Sequence, residues 1–367
     1  MPINKLDKFD TIVIGGGISG LVATWQLRSH GINALLLEAR NRFGGRILTV
    51  GRKQSFNCDL GPSWFWPGQP EMAKLLHDFK LPFYEQASEG AVLFQRENGS
   101  VERSHYSAPM AGSLRIRGGI TQLVNIITDQ IDSRFRLLEH EVTEVKSSQN
   151  LITITAKNPT GIVTINANRV ALALPPRLAA NITFQPLLPV PCLKTLRSTP
   201  TWMAGHGKFF ATYDQPFWRQ QGLCGSVISQ CGPLAEIHDA STDSGQHFAL
   251  FGFSALNAHA RKSVGHDEFC RQAVAQLGTV FGNQALDTRA VYFQDWSRES
   301  FTATAEDEIP PGHHPDYGIN PDIGPTWQSH LSFISSESSF QNGGLLEGAV
   351  AAGMRYAESI VNNHKSA

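Results

Sequence analysis

No apolar run in this 367-residue chain approaches the roughly 18 residues that a membrane-spanning helix needs. Neither sign of charge dominates, with 31 lysines and arginines against 32 aspartates and glutamates. That balance argues against a nucleic-acid partner, or a membrane surface held by bulk charge. The five cysteines (Cys58, Cys192, Cys224, Cys231 and Cys270) are odd in number and form no C-x-x-C pair. Neither a disulfide framework nor a thiolate metal site is expected from them. The opening MPINKLDKFD runs straight into a strand without the apolar core of a signal peptide. Internal repeats and low-complexity tracts are missing too. What remains is an ordinary cytoplasmic globular protein, 41% hydrophobic and 17% charged, long enough for two domains.

What is present is concentrated first in FDTIVIGGGISGLVATWQLRSHGINALLLEARNRFGGR, residues 9–46. Thr11 to Ile14 is a short β-branched run that suits a buried parallel strand. Gly15, Gly17 and Gly20 follow at the G-x-G-x-x-G spacing, and Ile18, Ser19 and Gly20 open a helix that reads to Arg28. Glycines there let the backbone turn tightly and approach a pyrophosphate, whose charge sits on the free N–H groups of the helix start. A second apolar run, Ala34 to Leu37, ends at Glu38, placed to accept hydrogen bonds from the adenosine ribose hydroxyls. Strand, helix, second strand and acid all fall where a dinucleotide-binding βαβ unit needs them.

The next residues choose the dinucleotide. Glu38-Ala39-Arg40-Asn41-Arg42-Phe43-Gly44-Gly45-Arg46 resembles the E-A-x-x-x-x-G-G-R signature of FAD-binding flavoproteins of the amine oxidase superfamily. Arg42 and Arg46 can supply charge to the phosphates and flavin. Asn57 to Trp64 resembles the family's D-x-G segment, in which Gly61, Pro62, Ser63 and Trp64 let the backbone pass close to the flavin ring. Gly118-Gly119 and the helix Ile120 to Ile131 look like the element that returns the chain to the FAD domain. Strands at Glu141–Val145, Leu151–Ala156, Gly161–Ile165 and Arg169–Leu174 look like the family's meander, where the Val142 backbone would clamp the adenine.

Near the C-terminus, Ser336-Glu337-Ser338 and then Gly343 to Ala349 resemble the T-E-T…S-G-x-M-E-G-A ending. Glu337 suits ribityl or ribose hydroxyls. Gly344, Leu345 and Leu346 open a helix whose amides can face the flavin N1–O2 edge, negative once the ring is reduced. Lys208 heads a segment similar to the K-x-x-x-x-Y-x-x-P-F-W strand, whose lysine holds a water beside flavin N5.

Three departures from the monoamine oxidases stand out. Family members that bind FAD covalently carry a cysteine just before the P-P-G turn, but Phe301 to Pro311 contains none, so FAD should bind non-covalently. The two aromatic rings that sandwich the amine are missing, since Leu345 holds one position and Ala305 or Glu306 the other. The stretch from Leu81 to Gly118 is too short for the helical insertion of larger relatives, which predicts a shallower, more open pocket. On the Leu234–His238 strand, Glu236 and His238 share a face. Glu236 falls at a wall position that is aromatic in monoamine oxidases, where a carboxylate can pair a substrate's distal cation.

The resemblance implies a two-domain α/β flavoprotein. Residues 1–81, 115–185 and 297–367 would form a Rossmann-type FAD domain, a parallel sheet with an antiparallel meander. Residues 82–114 and 186–296 would form a smaller substrate domain on an antiparallel sheet. The implied reaction is oxidation of an amine C–N bond by hydride transfer to flavin N5, with oxygen or another acceptor restoring the flavin. Related folds also act on reduced nicotinamides, conjugated polyenes or porphyrin precursors, and a non-redox or accessory flavoprotein is a further reading. The small-molecule substrate and the oligomeric state are not specified by the sequence.

Overall fold

The strand ahead of the glycine turn spans Lys8–Ile14 and lies inside an eight-stranded sheet. The structure, a computed structural model, describes residues 8–51, 57–104, 106–148 and 151–365; the start of the N-terminal segment read above therefore lies outside the described residues. Parallel neighbours flank the strand, Ala34–Leu37 on one side and Gly161–Leu172 on the other. Both faces are covered, which suits its β-branched side chains, and Ile12 and Val13 are fully buried. Gly15 then turns the chain at φ 107° into the helix Ile18–Ser29. The closing helix Leu346–Lys365 crosses that helix closely: a Cβ on Gly353 would stand 2.4 Å from the Ser19 carbonyl oxygen.

From Gly161–Leu172 the sheet continues antiparallel through Leu151–Asn158 to Glu141–Ser148. The short strand Thr183–Gln185 adds in parallel at that edge, and Arg136–Leu137 closes the other. Leu331–Phe333 pairs with residues 170–172. The sequence reading breaks Gly161–Leu172 into two strands around Asn166 and Asn168, but the structure runs straight through. Thr153 Oγ1 donates to Asn166 Oδ1 at 3.0 Å and Asn168 Nδ2 to Asp10 Oδ1 at 3.3 Å, so both amides are satisfied across the ladder.

A seven-stranded second sheet runs in the order Ala290–Asp295, Gly207–Tyr213, Phe248–Ser254, Leu234–Asp239, Leu223–Ser229, Ala91–Gln95 and Val101–Ser104. The strands that carry Lys208 and Glu236 both lie in it, each paired antiparallel with Phe248–Ser254. Ala91–Gln95 and Val101–Ser104 form a hairpin, turning at Gly99 with φ 83°, that joins the same sheet through a parallel pairing of Ala91–Gln95 with Leu223–Ser229. The edge strand Ala290–Asp295 is an addition. So is the helix Val190–Ser198: Pro189 and Pro191 start it, because a proline in the first turn gives up an N–H that has no helical partner.

Helix His266–Phe281 covers one face of this sheet, packing Phe269 and Leu277 against Phe209 and Leu250. On the other face, Phe210 and Phe251 pack with Cys58 and Leu60 of the D-x-G segment. Trp296 Nε1 also donates to the Leu60 carbonyl at 2.8 Å. These contacts hold the second sheet against the loop that carries Gly61 to Trp64. Among the described residues, no helix is long and apolar enough to cross a membrane.

Candidate active site

A cavity of about 1170 Å³ runs from the glycine turn to the second sheet. At its first end the wall is built by Gly15, Gly17, Ile18, Ser19, Glu38, Ala39, Arg40 and Val142, all predicted positions. A Cβ on Gly17 would meet nothing within 4 Å, so the backbone there faces open space. Glu38 is buried; its carboxylate accepts from the Gly16 N–H at 2.7 Å and the Arg40 N–H at 2.8 Å. Gly20 does not line the cavity: a Cβ there would lie 2.0 Å from the Gly15 carbonyl oxygen, so its glycine serves the packing of helix on turn.

The arginines divide. Arg42 donates to the carbonyls of Gly45 at 2.9 Å and Ile47 at 3.0 Å, bracing its own loop away from this cavity. Arg40 lines the cavity and ties it to the 299–302 segment, donating to Thr302 Oγ1 at 2.8 Å and to Glu299. Arg46 lines the wall, pairs with Glu337 at 2.8 Å and donates to Ser336 Oγ at 3.0 Å. Burial works against its charge, but the Glu337 carboxylate holds its pKa above the ordinary arginine value. Glu337 itself is fully buried and off the cavity surface. Both oxygens of its carboxylate are without a hydrogen-bond partner among the described residues, and Arg46 is its counter-ion.

At the other end Gly61, Pro62, Ser63, Trp64, Lys208, Glu236, Gly344, Leu345 and Leu346 share the wall. Lys208 Nζ donates to the Gly61 carbonyl at 2.8 Å and to Ser63 Oγ at 2.6 Å. Its ammonium stands 4.2 Å from the Phe251 ring centroid and 5.8 Å from that of Trp64. Burial pulls its pKa down to about 7, opposed by the Asp59 carboxylate and assisted by the Arg115 guanidinium. Asp59, raised by its own burial, accepts from Thr49 Oγ1 at 2.6 Å and the Ile120 N–H at 3.0 Å. His238 lies behind the wall, fully buried, with Nε2 2.8 Å from Glu236 Oε1 and Trp64 edge-on at 5.0 Å.

Residues 93–361 match the family described as flavin containing amine oxidoreductase, and residues 13–79 match the NAD(P)-binding Rossmann-like domain. The chain belongs to the flavin-containing amine oxidoreductase family. Amine oxidase [flavin-containing] A of Equus caballus is 26% identical over 96% of this chain and 85% of its own length. Amine oxidase [flavin-containing] B of Sus scrofa is 25% identical over 97% and 86%. Among solved structures, wild-type putrescine oxidase bound to putrescine superposes with a TM-score of 0.81 at 20% identity, over 97% of this chain and 99% of that one. Cyclohexylamine oxidase from Brevibacterium oxydans shows 19% identity over 98% and 100%. These last two likenesses carry the fold.

The protein is therefore an FAD-dependent amine oxidoreductase, and its cavity fits that cofactor. The glycine turn and helix start form a cradle for a pyrophosphate, with the Glu38 carboxylate beside it for ribose and a second helix N-terminus at the far end. None of the five cysteines lines the cavity. Leu345 occupies the wall, whereas Ala305 and Glu306 lie off it in a short turn, so neither sandwich position carries a ring. Sequence reasoning missed Trp202, Met203, His206, Phe253 and Trp296 on the wall. The only available signal was their closeness in sequence to the Lys208 strand and its partners.

Proposed function

We propose that this protein oxidises a small amine carrying a second positive charge at its far end, passing hydride from the α-carbon to flavin N5 with oxygen as the final acceptor. The observation that carries the reading is Glu236, a half-buried carboxylate on the cavity wall that shares the cavity with Lys208. The buried His238 ring stands beside it, with Nε2 2.8 Å from Oε1. A carboxylate there is a counter-ion for an ammonium, and hydrogen bonds to charged groups contribute about 1.5–3 kcal/mol. A neighbour of the same fold that holds putrescine, a diamine, supports the choice of substrate class.

FAD, when bound, supplies the two-electron acceptor. The protein's own residues do the rest. Glu236 anchors the distal cation and aligns the chain of the substrate, while the wall residues shield the reacting end from water. Lys208 holds its ammonium at the cavity wall, where it would assist electron transfer from the bound cofactor to oxygen, and the imine product would hydrolyse in solution. Residues 1–81, 115–185 and 297–367 form the FAD-binding part of this reading, and 82–114 with 186–296 the substrate part. Five free cysteines suit a reducing compartment such as the cytoplasm.

Anaerobic flavin bleaching against monoamines, diamines, amino acids and reduced nicotinamides tests it. Diamines should bleach the flavin at lower concentration than monoamines of equal length. Bleaching by reduced nicotinamide alone would remove amine oxidation; equal behaviour of the two amine classes would remove the role of Glu236.

A further inference from the structure

We propose that Trp202 is the specificity-determining wall of the substrate chamber, supplying from the turn before the lysine strand the aromatic surface that Leu345 lacks, a role that rests on the amine reading above. Trp202, Met203 and His206 line the same cavity as Leu345, Glu236 and Lys208. The Trp202 side chain leaves the backbone close to the start of the closing helix. Gly344 has φ 75°, and a Cβ added to it would stand 3.1 Å from the Trp202 Cβ and 2.8 Å from the Tyr317 ring. The glycine beside Leu345 thus makes room for rings that arrive from other segments.

The ring is held from behind. His314 meets it edge-on at 4.7 Å and 60°, and Tyr317 meets His314 at 5.5 Å and 90°. Tyr317 Oη donates to the Pro200 carbonyl at 2.9 Å, which ties the stack back to the segment that carries the tryptophan. That segment is itself pinned, since the Thr201 N–H donates to Asp307 Oδ1 at 3.1 Å. Met203, next in line and also on the wall, adopts φ 63°. A left-handed methionine is a strained backbone that the surroundings must enforce, and such strain gathers at ligand sites. The result is a preorganised indole face. An aromatic face attracts an ammonium through its quadrupole and an alkyl chain through its area. With Glu236 taking one cation, Trp202 is the surface for the other end of the substrate.

The experiment uses the FAD-loaded protein and benzyltrimethylammonium, a quaternary cation that has no N–H and cannot become an imine. Its binding is read from the flavin difference spectrum, alongside anaerobic reduction by a diamine. Trp202→Ala should weaken the probe roughly tenfold and raise the half-saturating diamine concentration by a similar factor, with FAD content unchanged. Trp202→Phe, which keeps a ring, should restore most of both, and His314→Ala, off the cavity wall, should give a smaller loss. Should Trp202→Ala not fold, Trp202→Leu takes its place as an apolar side chain without a ring. Unchanged probe affinity in the ringless variant overturns the proposal, as does absence of probe binding by the native protein. Loss of FAD from both Trp202→Ala and Trp202→Phe overturns it too, by assigning the indole to the flavin. Probe binding that depends on Trp202, in a protein that no amine reduces, would keep the chamber wall and remove only the amine reading.

Discussion

Lys208 and Ser63 meet 2.6 Å apart where the second sheet touches the loop that follows Asp59. The contact fixes the ammonium at the cavity wall, and the same loop supplies the Gly61 carbonyl at 2.8 Å. A charge so buried is expensive unless bonded, and two acceptors with three nearby rings offset part of that cost. Lys208→Met keeps the stem and removes the charge. Flavin reduction by substrate should change little, while reoxidation by oxygen should slow by an amount on the order of 2–4 kcal/mol. Stopped-flow timing of the two half-reactions separates them, and equal oxidative rates would make Lys208 an ordinary buried lysine.

The same residue sets a pH dependence. Burial lowers its pKa to about 7, so the charge is present below that pH and lost above it. The oxidative half-reaction should therefore fall as pH rises through about 7. In Lys208→Met this limb should be flat. A wild-type oxidative rate that is constant across that range would show the ammonium is not the group that assists oxygen.

Glu38 tests the dinucleotide end. Its carboxylate already holds the N–H groups of Gly16 and Arg40 at 2.7 and 2.8 Å, and ribose hydroxyls would add donors to an acceptor kept in place. Glu38→Ala should weaken FAD retention by about 1–3 kcal/mol, read by titrating FAD back into stripped protein. Undiminished affinity would count against the βαβ assignment of the adenosine.

Much of this site was legible because its motifs are local. The glycine turn, Glu38 and the strand around them depend on neighbours within one βαβ unit, and spacing alone places them on the cavity. The ion pair made by Glu337 was not legible, for the opposite reason. Its partner Arg46 lies 291 positions away, and nothing in either motif says that the pair closes on itself. Glu347, in the same C-terminal ending, likewise accepts from the N–H groups of Glu71 and Met72 at 3.0 and 2.8 Å, fastening the helix Pro70–Asp78. Trp202 was invisible because ring-to-ring contacts with His314 carry no sequence period. The helix Val190–Ser198 was hard to foresee because prolines flank its start, and proline ends helices as readily as it begins them.

The Arg46–Glu337 pair gives a stability test in protein stripped of flavin. Glu337→Ala leaves Arg46, 26% exposed on the cavity wall, without its counter-ion, and losing a charge-assisted contact of that kind costs about 1.5–3 kcal/mol. The apo variant should unfold at markedly lower denaturant concentration than apo wild type. Equal apo stability, with a loss only in FAD affinity, would return Glu337 to the hydroxyl-binding role that its motif suggests.

Glu236→Gln is the sharpest probe of substrate choice. The amide keeps the size of the carboxylate and an oxygen that can still face His238 Nε2, now 2.8 Å from Glu236 Oε1, so the wall should keep its shape. Only the negative charge is removed. A diamine would then lose its charge-assisted contact, about 1.5–3 kcal/mol, and its half-saturating concentration for anaerobic flavin reduction should rise accordingly. A monoamine of equal length has no second cation to lose, so its value should hold. The limiting rate of reduction should hold for both, because the distal anchor acts on binding and alignment rather than on the carbon that gives up hydride. Equal losses for both amines would mean that the substitution disturbed the wall itself. No loss for the diamine would place its second cation elsewhere and leave Glu236 as the partner of His238 alone.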